Sequence, residues 1–185
     1  MGENMTKKEI VTVSKFLSLI LRHRPEKIGI TLDQNGWADT DALISGMNQA
    51  GRRVTLQDLK EIVDTNDKQR FKFNDDFSKI RANQGHSISV DLELKETTPP
   101  VTLYHGTASC FIKAIEKEGL KPKGRQHVHL SIDIETAVNV GSRHGKAVVL
   151  TINSHRMYED GYKFYLSENN VWLTSAVPAV YIDIR

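Results

Sequence analysis

The sequence predicts an α+β fold in two parts. Apolar residues recur at helical spacing through most of the first half, whereas the second half mixes short strands with short helices and has no regular βαβ spacing. Residues 95–100 (KETTPP) separate the two patterns, and neither a helix nor a central strand would accommodate their two prolines. We therefore place a domain boundary here and expect domains at 1–96 and 97–185.

The first half begins with a helix. Thr6 and Glu9 fit a capping box, and apolar residues then recur at helical spacing as far as Arg24-Pro25. Proline disfavours helix in the residue before it, so the helix is expected to end near Arg22.

Two more helices and a hairpin follow. One helix starts after Asp39 or Thr40 and stops at Gly51, and the next runs from Thr55 to just before Asn66. The spacing of apolar residues then changes to the alternation that is typical of strands. Apolar residues alternate with polar ones on either side of the turn-forming residues 74–76. Three helices followed by a hairpin are typical of a winged helix, which we predict for residues 1–96.

The second half predicts strands and helices in mixed order. The expected strands are residues 101–104, 127–130, 147–152, 171–173 and 180–184, with another around Phe164, and the expected helices are 109–118 and 133–141.

Composition excludes several classes of protein. The chain of 185 residues is 39% hydrophobic and 26% charged, which is the balance of a soluble globular protein. It lacks an apolar run of about 18 residues, so we expect no membrane segment and a cytoplasmic location. A net charge of +2 provides no large basic field, so any contact with nucleic acid must be local.

Three arginines at the ends of predicted elements indicate phosphate recognition. Arg22, Arg70 and Arg125 carry guanidinium groups, which pair bidentately with phosphate oxygens and stay charged. Simpler explanations remain open for two of them. Arg22 and the adjacent His23 also suit the negative end of a helix, and Arg70 could be an exposed charge at the edge of a hairpin.

Histidines are concentrated in the second half, which has five of the seven. His127 and His129 share a strand face, but the single cysteine, Cys110, and the absence of an HExxH motif make a metal site improbable, so we predict none. His105 followed by Gly106 could punctuate a strand end or let a ligand approach the backbone. Since no GxGxxG motif is present, any dinucleotide must bind by a fold other than the Rossmann fold.

Seven segments together resemble one enzyme family. In chain order they are SKFLSLILRHRPEKIGITLDQNGWADTDALI, RFKF, IRANQGHS, LYHGT, GRQHVHLS, VGSRHG and NNVWLT. They resemble the RNA 2'-phosphotransferases, which use NAD to remove an internal 2'-phosphate left at an RNA splice junction, as in tRNA. Each motif is weak alone, but the joint match covers nearly the whole chain and is highly specific.

The resemblance implies a winged-helix lobe for RNA and an ADP-ribosyltransferase-like mixed α/β lobe for NAD, with the active site between them. The family's catalytic tetrad falls on Arg22, His23, Arg70 and Arg125. The NAD-binding residues that it implies are His105, Gly106, Thr107, His129, Leu130, Ser131, Arg143, His144 and Val171.

Two positions in the last motif are informative. Protein-modifying relatives carry a glutamate where this chain has Val171, so the resemblance implies an acceptor, such as a phosphate, that needs no general base. Asn170 stands where the family usually has glycine. Because asparagine tolerates a positive φ better than most residues, we expect a small effect.

The resemblance also implies a two-step reaction. The RNA 2'-phosphate first displaces nicotinamide from NAD, and the resulting 2'-phospho-ADP-ribosylated RNA then releases 2'-OH RNA and ADP-ribose 1'',2''-cyclic phosphate. Arginines would replace magnesium, so we expect no metal, and we expect a monomer. Two alternatives stay open: ADP-ribosylation of phosphate ends of nucleic acid without the second step, and a non-catalytic winged-helix regulator that senses NAD.

Overall fold

The computed structural model describes residues 5–184, except for the His144 side chain. The chain forms two compact units that divide between Glu93 and Leu94. Within the described range there are six α-helices and three small antiparallel sheets, which confirms the α+β class. No helix in that range is long and apolar enough to cross a membrane. The division of functions between residues 1–96 and 97–185 stays a prediction.

Three helices and one sheet form the first unit. The helices are α1 (Lys7–Arg22), α2 (Thr40–Gln49) and α3 (Leu56–Asp64). The expected capping box starts α1: Thr6 Oγ1 accepts from the Glu9 N–H, while the Glu9 carboxylate accepts from the Thr6 N–H at 2.8 Å. The helix ends at Arg22, just before the Arg24-Pro25 pair, as expected.

The sheet of the first unit contains the expected hairpin and one strand that we did not expect. Strands β1 (Trp37–Asp39), β2 (Phe71–Phe73) and β3 (Lys79–Ala82) are antiparallel in the order β1-β3-β2. The hairpin β2-β3 is confirmed. Strand β1 was missed because three residues are too few for an alternating pattern to be visible.

Helical periodicity provides most of the core of this unit. Leu17, Ile20 and Leu21 of α1 are completely buried, together with Leu59 and Ile62 of α3. Burial of each such side chain stabilises the fold by roughly 1.5–3 kcal/mol relative to leaving it exposed. The apolar face of each helix is therefore what attaches it to the sheet.

The second unit consists of two three-stranded sheets and three α-helices. Its strands are β4 (Leu103–Ala108), β5 (Val128–Leu130), β6 (Ala147–Ile152), β7 (Phe164–Leu166), β8 (Trp172–Thr174) and β9 (Ile182–Ile184), and its helices are α4 (Ile112–Glu118), α5 (Ile134–Gly141) and α6 (Ser154–Glu159). The strand orders are β4-β6-β9 and β5-β8-β7, all antiparallel. A bridge between Tyr104 and Ser131 connects the two sheets.

Three differences from the sequence prediction concern this unit. Strand β4 continues to Ala108 and does not stop at Tyr104, so His105 and Gly106 lie inside a strand and not at its end. The segment from Ser109 begins as a 3-10 turn before α4. Helix α6 was missed because six residues are too short to show a helical period.

Candidate active site

Arg22 and His23 lie at the C-terminal end of α1. The guanidinium carbon of Arg22 is 6.0 Å from the centre of the Phe71 ring, and its Nε and Nη2 atoms are buried. His23 directs Nδ1 at the hydroxyl of Ser87, 2.9 Å away, and the Ser87 N–H donates to the Arg22 carbonyl at 3.0 Å. Both residues thus have tertiary contacts. The simpler explanation, that cations suit the negative end of a helix, does not require such contacts.

Arg70 directly precedes β2 and is held by two asparagines. The Oδ1 atom of Asn66 accepts from the Arg70 N–H at 3.3 Å and from its Nη1 at 3.4 Å. The N–H of Asn83 donates to the Arg70 carbonyl at 2.9 Å. Arg70 is therefore half-buried and braced, which differs from the exposed hairpin charge that was its simpler explanation.

The first unit thus places three members of the predicted tetrad around one segment of chain. Asn83, at one end of residues 83–87, contacts Arg70, and Ser87, at the other, contacts Arg22 and His23. Ser87, Asn83 and Asn66 were missed from the sequence as site residues. The only available signal for Asn83 and Ser87 was the IRANQGHS segment itself, to which we assigned no role.

Arg125 and Arg143 form a basic group in the second unit. Burial lowers the pKa of the Arg125 guanidinium, and the positive charge of Arg143 lowers it further. Arg125 Nη1 lies 3.2 Å from Nδ1 of His129. Two exposed cations that interact with each other are suited to an anionic ligand carrying more than one charge.

His105 and His129 are connected through the backbone. His105 Nδ1 lies 2.9 Å from the His129 carbonyl, which can only accept, so Nδ1 carries the proton. Burial lowers the pKa of His105, which keeps the ring neutral near pH 7. Its Nε2 is then a hydrogen-bond acceptor in a ring held in one orientation.

Gly106 corrects part of our interpretation. A Cβ atom at this position would lie 1.6 Å from the Ala137 carbonyl oxygen of α5, so the absent side chain serves close packing of that helix on β4. Close packing thus explains why no side chain is present, and the approach of a ligand to the Gly106 backbone stays a prediction. The backbone polar groups of Gly106 point in another direction. Two residues earlier on β4, Tyr104 exchanges two hydrogen bonds with Ser131, which marks the edge of the strand that faces β5. Alternation along β4 directs the N–H and C=O of Gly106 to that same edge.

The remaining predicted NAD residues lie on or beside these strands. Thr107 is buried on the same face of β4 as His105, since side chains alternate along a strand. Leu130 is 1% exposed and belongs to the hydrophobic core, so only its backbone is open to a ligand role. The side chain of His144 lies outside the described residues.

Val171 precedes β8 at the end of a tight turn. Its N–H donates to Ser167 Oγ at 3.0 Å, and Trp172 pairs with Leu130, which places Val171 at the Ser131 end of β5. Asn170 has φ of 59°, so the turn requires the left-handed conformation that glycine and asparagine adopt most readily. The positive φ at Asn170 agrees with this reasoning, and the small effect of asparagine in place of glycine stays a prediction.

The two units present arginine and histidine groups that are suited to bind phosphate oxygens. They also present a neutral histidine that is suited to accept a hydrogen bond from a hydroxyl group. A sequence model described as "RNA 2'-phosphotransferase, Tpt1 / KptA family" matches residues 8–176. The chain belongs to this family of NAD-dependent enzymes. The resemblance inferred from the motifs is thereby confirmed.

Curated relatives match over the full length. A protein of Flavobacterium johnsoniae named "Probable RNA 2'-phosphotransferase" is 57% identical over 185 residues, which is 100% of both chains. Proteins of the same name from Rhodopirellula baltica and Fusobacterium nucleatum are 53% and 55% identical. These two alignments cover 95% and 93% of this chain and 96% and 97% of the relatives. The substrates of the family are 2'-phosphorylated RNA and NAD.

Proposed function

We propose that this chain removes an internal 2'-phosphate from RNA by transferring it to NAD, in two steps. The products are 2'-OH RNA, nicotinamide and ADP-ribose 1'',2''-cyclic phosphate. The observation that carries the proposal is that three of the four tetrad side chains have a braced position: His23 on Ser87, Arg70 on Asn66, and Arg125 on His129. Pre-organised cations of this kind stabilise transferring phosphoryl groups.

We assign RNA binding to residues 1–96 and NAD binding to residues 97–185. Three helices with a β2-β3 hairpin support a winged-helix identity for the first unit. The second unit's two antiparallel sheets, with most of the predicted NAD residues on β4, β5 and the turn before β8, support an ADP-ribosyltransferase-like identity.

In the first step a 2'-phosphate oxygen bonds to C1'' of the nicotinamide ribose, and the bond from C1'' to the nicotinamide nitrogen breaks. The leaving group is already cationic, so it needs no proton, and positioning is the main requirement. This agrees with an apolar residue at Val171, where no general base is needed. Arginines on the phosphate would orient the attack.

In the second step the ribose O2'' bonds to phosphorus, and the bond from phosphorus to the RNA O2' breaks. The proton of the 2''-hydroxyl is lost and the RNA 2'-oxygen gains one, so that both products are neutral at these atoms. Arg22, Arg70 and Arg125 are placed to neutralise the phosphoryl oxygens. His23 can hydrogen-bond the phosphate or carry the proton.

The residues of the second unit fit a dinucleotide on physical grounds. The neutral His105 has an Nε2 that can accept from a ribose hydroxyl, and the Gly106 backbone presents an N–H and a C=O to one strand edge, which matches an amide such as that of nicotinamide. Arg143 supplies a positive charge that suits an anionic group of the dinucleotide. We assign Thr107, His129, Leu130, Ser131, His144 and Val171 to the same binding site.

The test is to mix the protein with NAD and an RNA that carries one internal 2'-phosphate, and to follow both products. Loss of the phosphate with release of nicotinamide and cyclic phosphate is expected. Nicotinamide release with a stable RNA adduct would indicate ADP-ribosylation without the second step. NAD binding without nicotinamide release would indicate a non-catalytic regulator. The matched RNA with a 2'-hydroxyl at that position controls for NAD hydrolysis.

A further inference from the structure

The segment Asn83–Ser87 performs no step in the proposed reaction, yet it contacts three residues of the tetrad. At one end, the Asn83 N–H donates to the Arg70 carbonyl at 2.9 Å, and the Asn83 side-chain amide donates to the carbonyl of Gln69. At the other end, Ser87 contacts the Arg22 carbonyl and the His23 ring. Two residues that are 47 positions apart in sequence, His23 and Arg70, are thus attached to the same five residues of chain.

The interior of this segment is firmly packed. Asn83, Gln84 and His86 are 8%, 9% and 1% exposed, and β3 runs directly into the segment. Ser87 is exposed at its end. A buried stretch that carries an exposed hydroxyl on its last residue holds that hydroxyl in a defined place, because interior packing leaves little room for the backbone to shift.

We propose that Asn83–Ser87 is a positioning element for the phosphate-binding residues, and that Ser87 acts as a positioning residue for the His23 ring. This inference depends on the proposed function, in which His23 and Arg70 act on the RNA phosphate. Ser87 itself does not touch the substrate in this account. Its effect on the reaction is exerted entirely through the orientation and protonation of His23.

The chemistry of a hydroxyl explains why serine suits this place. Against a neutral ring protonated on Nε2, the Ser87 hydroxyl donates its proton to Nδ1; against a protonated ring, its oxygen accepts from the Nδ1 proton. The same contact therefore survives both charge states of His23. Because Nδ1 is engaged by Ser87, any contact of this ring with a phosphate is made by Nε2, which donates to the phosphate when it carries a proton.

The experiment compares Ser87→Ala with Ser89→Ala and Ser87→Thr. Ser89 is an exposed serine two residues further along the chain, so it is a matched control for the loss of a hydroxyl. Turnover at saturating NAD and RNA should fall about tenfold in Ser87→Ala, which is the effect of one lost hydrogen bond to a group that acts in the transition state. Ser89→Ala should be unchanged, and Ser87→Thr, which retains the hydroxyl, should recover most of the turnover.

Two measurements separate positioning from a general structural effect. Nitrogen NMR should show the Nδ1 resonance of His23 shifted by its hydrogen bond in the unmodified protein, and that resonance should move in Ser87→Ala. The thermal midpoint should be the same in both proteins, because Ser87 is exposed. An unchanged Nδ1 resonance in Ser87→Ala, or equal losses of turnover in Ser87→Ala and Ser89→Ala, would overturn the inference.

A double-variant comparison distinguishes this inference from the proposed function. If Ser87 acts through His23, His23→Ala and His23→Ala with Ser87→Ala should have equal turnover, since the second change has nothing left to orient. Additive losses would overturn the role of Ser87. Full turnover in His23→Ala alone would instead contradict the assignment of His23 to the reaction.

Discussion

Arg125 donates a guanidinium N–H to Nδ1 of His129 across 3.2 Å. Arginine has no acceptor, so this hydrogen bond requires the Nδ1 lone pair of His129. With Nδ1 unprotonated, the imidazole braces the cation without adding positive charge beside it. An arginine that is braced in this way loses little side-chain entropy when it engages a phosphate.

We predict that Arg125→Ala lowers turnover about a hundredfold, because a bidentate charge-assisted contact to the phosphate is lost in the transition state. NAD affinity should change much less. Steady-state kinetics and calorimetric titration with NAD measure the two effects. Arg156→Ala is the matched control, since Arg156 is exposed and makes weak surface contacts with Asp160 at 3.9 Å and with the Tyr181 ring at 5.8 Å. Near-normal turnover in Arg125→Ala would contradict the assignment.

Activity is expected to need NAD and no divalent metal. The described residues contain no group of three or more His, Cys, Asp or Glu side chains that could hold an ion, and the arginines provide the positive charge that magnesium provides elsewhere. The measurement is the initial rate in excess chelator, with added magnesium or zinc as the comparison. A rate abolished by chelator and restored by either metal would show the prediction to be wrong.

Gly106→Ala is predicted to destabilise the protein severely. The added Cβ would meet the Ala137 carbonyl at 1.6 Å, and neither backbone can move away without separating α5 from β4. Gly124→Ala is the control, because a Cβ there meets nothing within 4 Å and only the strain of a positive φ of 77° remains. That strain costs about 1 kcal/mol. Urea unfolding of both variants gives the comparison, and equal losses of stability would refute the packing explanation for Gly106.

The contrast between Gly106 and Asn170 shows where sequence reasoning succeeds. Asn170 was interpreted from its own residue type, because only a few residues adopt a positive φ easily, and the turn has that conformation. For Gly106 the sequence left a strand end or ligand access open, whereas the constraint that the structure shows is Ala137 of α5, 31 residues later in the chain. Local conformation is encoded locally, whereas a contact between distant elements is not.

The same distinction applies to the whole molecule. Helix α1 and the β2-β3 hairpin were predictable because their apolar periods are visible within a few residues. Ser87 was not, because a hydrogen bond to a ring 64 residues away leaves no pattern in the sequence. The tetrad residues could be predicted from the resemblance of their motifs to the family. The residues that hold them in place became visible only in the structure.

Stability is predicted to fall as the pH is lowered from 7 to 5. Burial, with the positive charges of Arg22, His23 and Arg81, lowers the pKa of His86 from 6.5 to about 4. His86 therefore becomes protonated below pH 6.5 in the unfolded chain, but only near pH 4 in the folded chain. The contribution of His86 to the free energy of unfolding is complete above pH 6.5 and is lost as the pH falls through this interval. The loss attributable to His86 between pH 7 and 5 is about 2 kcal/mol.

His86→Leu should remove most of that pH dependence while the fold remains, since an apolar side chain of similar size replaces a buried ring. Part of the dependence should persist, because burial also lowers the pKa of His105 and of His127. Urea unfolding between pH 5 and 7 measures it, with the exposed His155→Gln as the control. The same slope in His86→Leu and in the unmodified protein would contradict this role of His86.

Arg70→Ala is predicted to slow the second chemical step more than the first. In the first step the phosphate is the nucleophile, and an arginine bound to it orients the attack but also stabilises the ground state, so its net help is modest. In the second step the same phosphate is the electrophile, and the arginine can neutralise charge while the bonds to phosphorus exchange. Only there does Arg70 bind the transition state better than the reactant.

The consequence is visible in the products. Arg70→Ala should accumulate 2'-phospho-ADP-ribosylated RNA, which migrates more slowly than either RNA substrate or product, whereas the unmodified protein and the exposed control Arg53→Ala should not. Single-turnover rates, measured with RNA and NAD for the first step and with the isolated adduct for the second, separate the two effects. Because the bracing of Arg70 by Asn66 is independent of the substrate, a loss that is equal in both steps would mean that Arg70 only binds the phosphate, and a larger loss in the first step would reverse its assigned role.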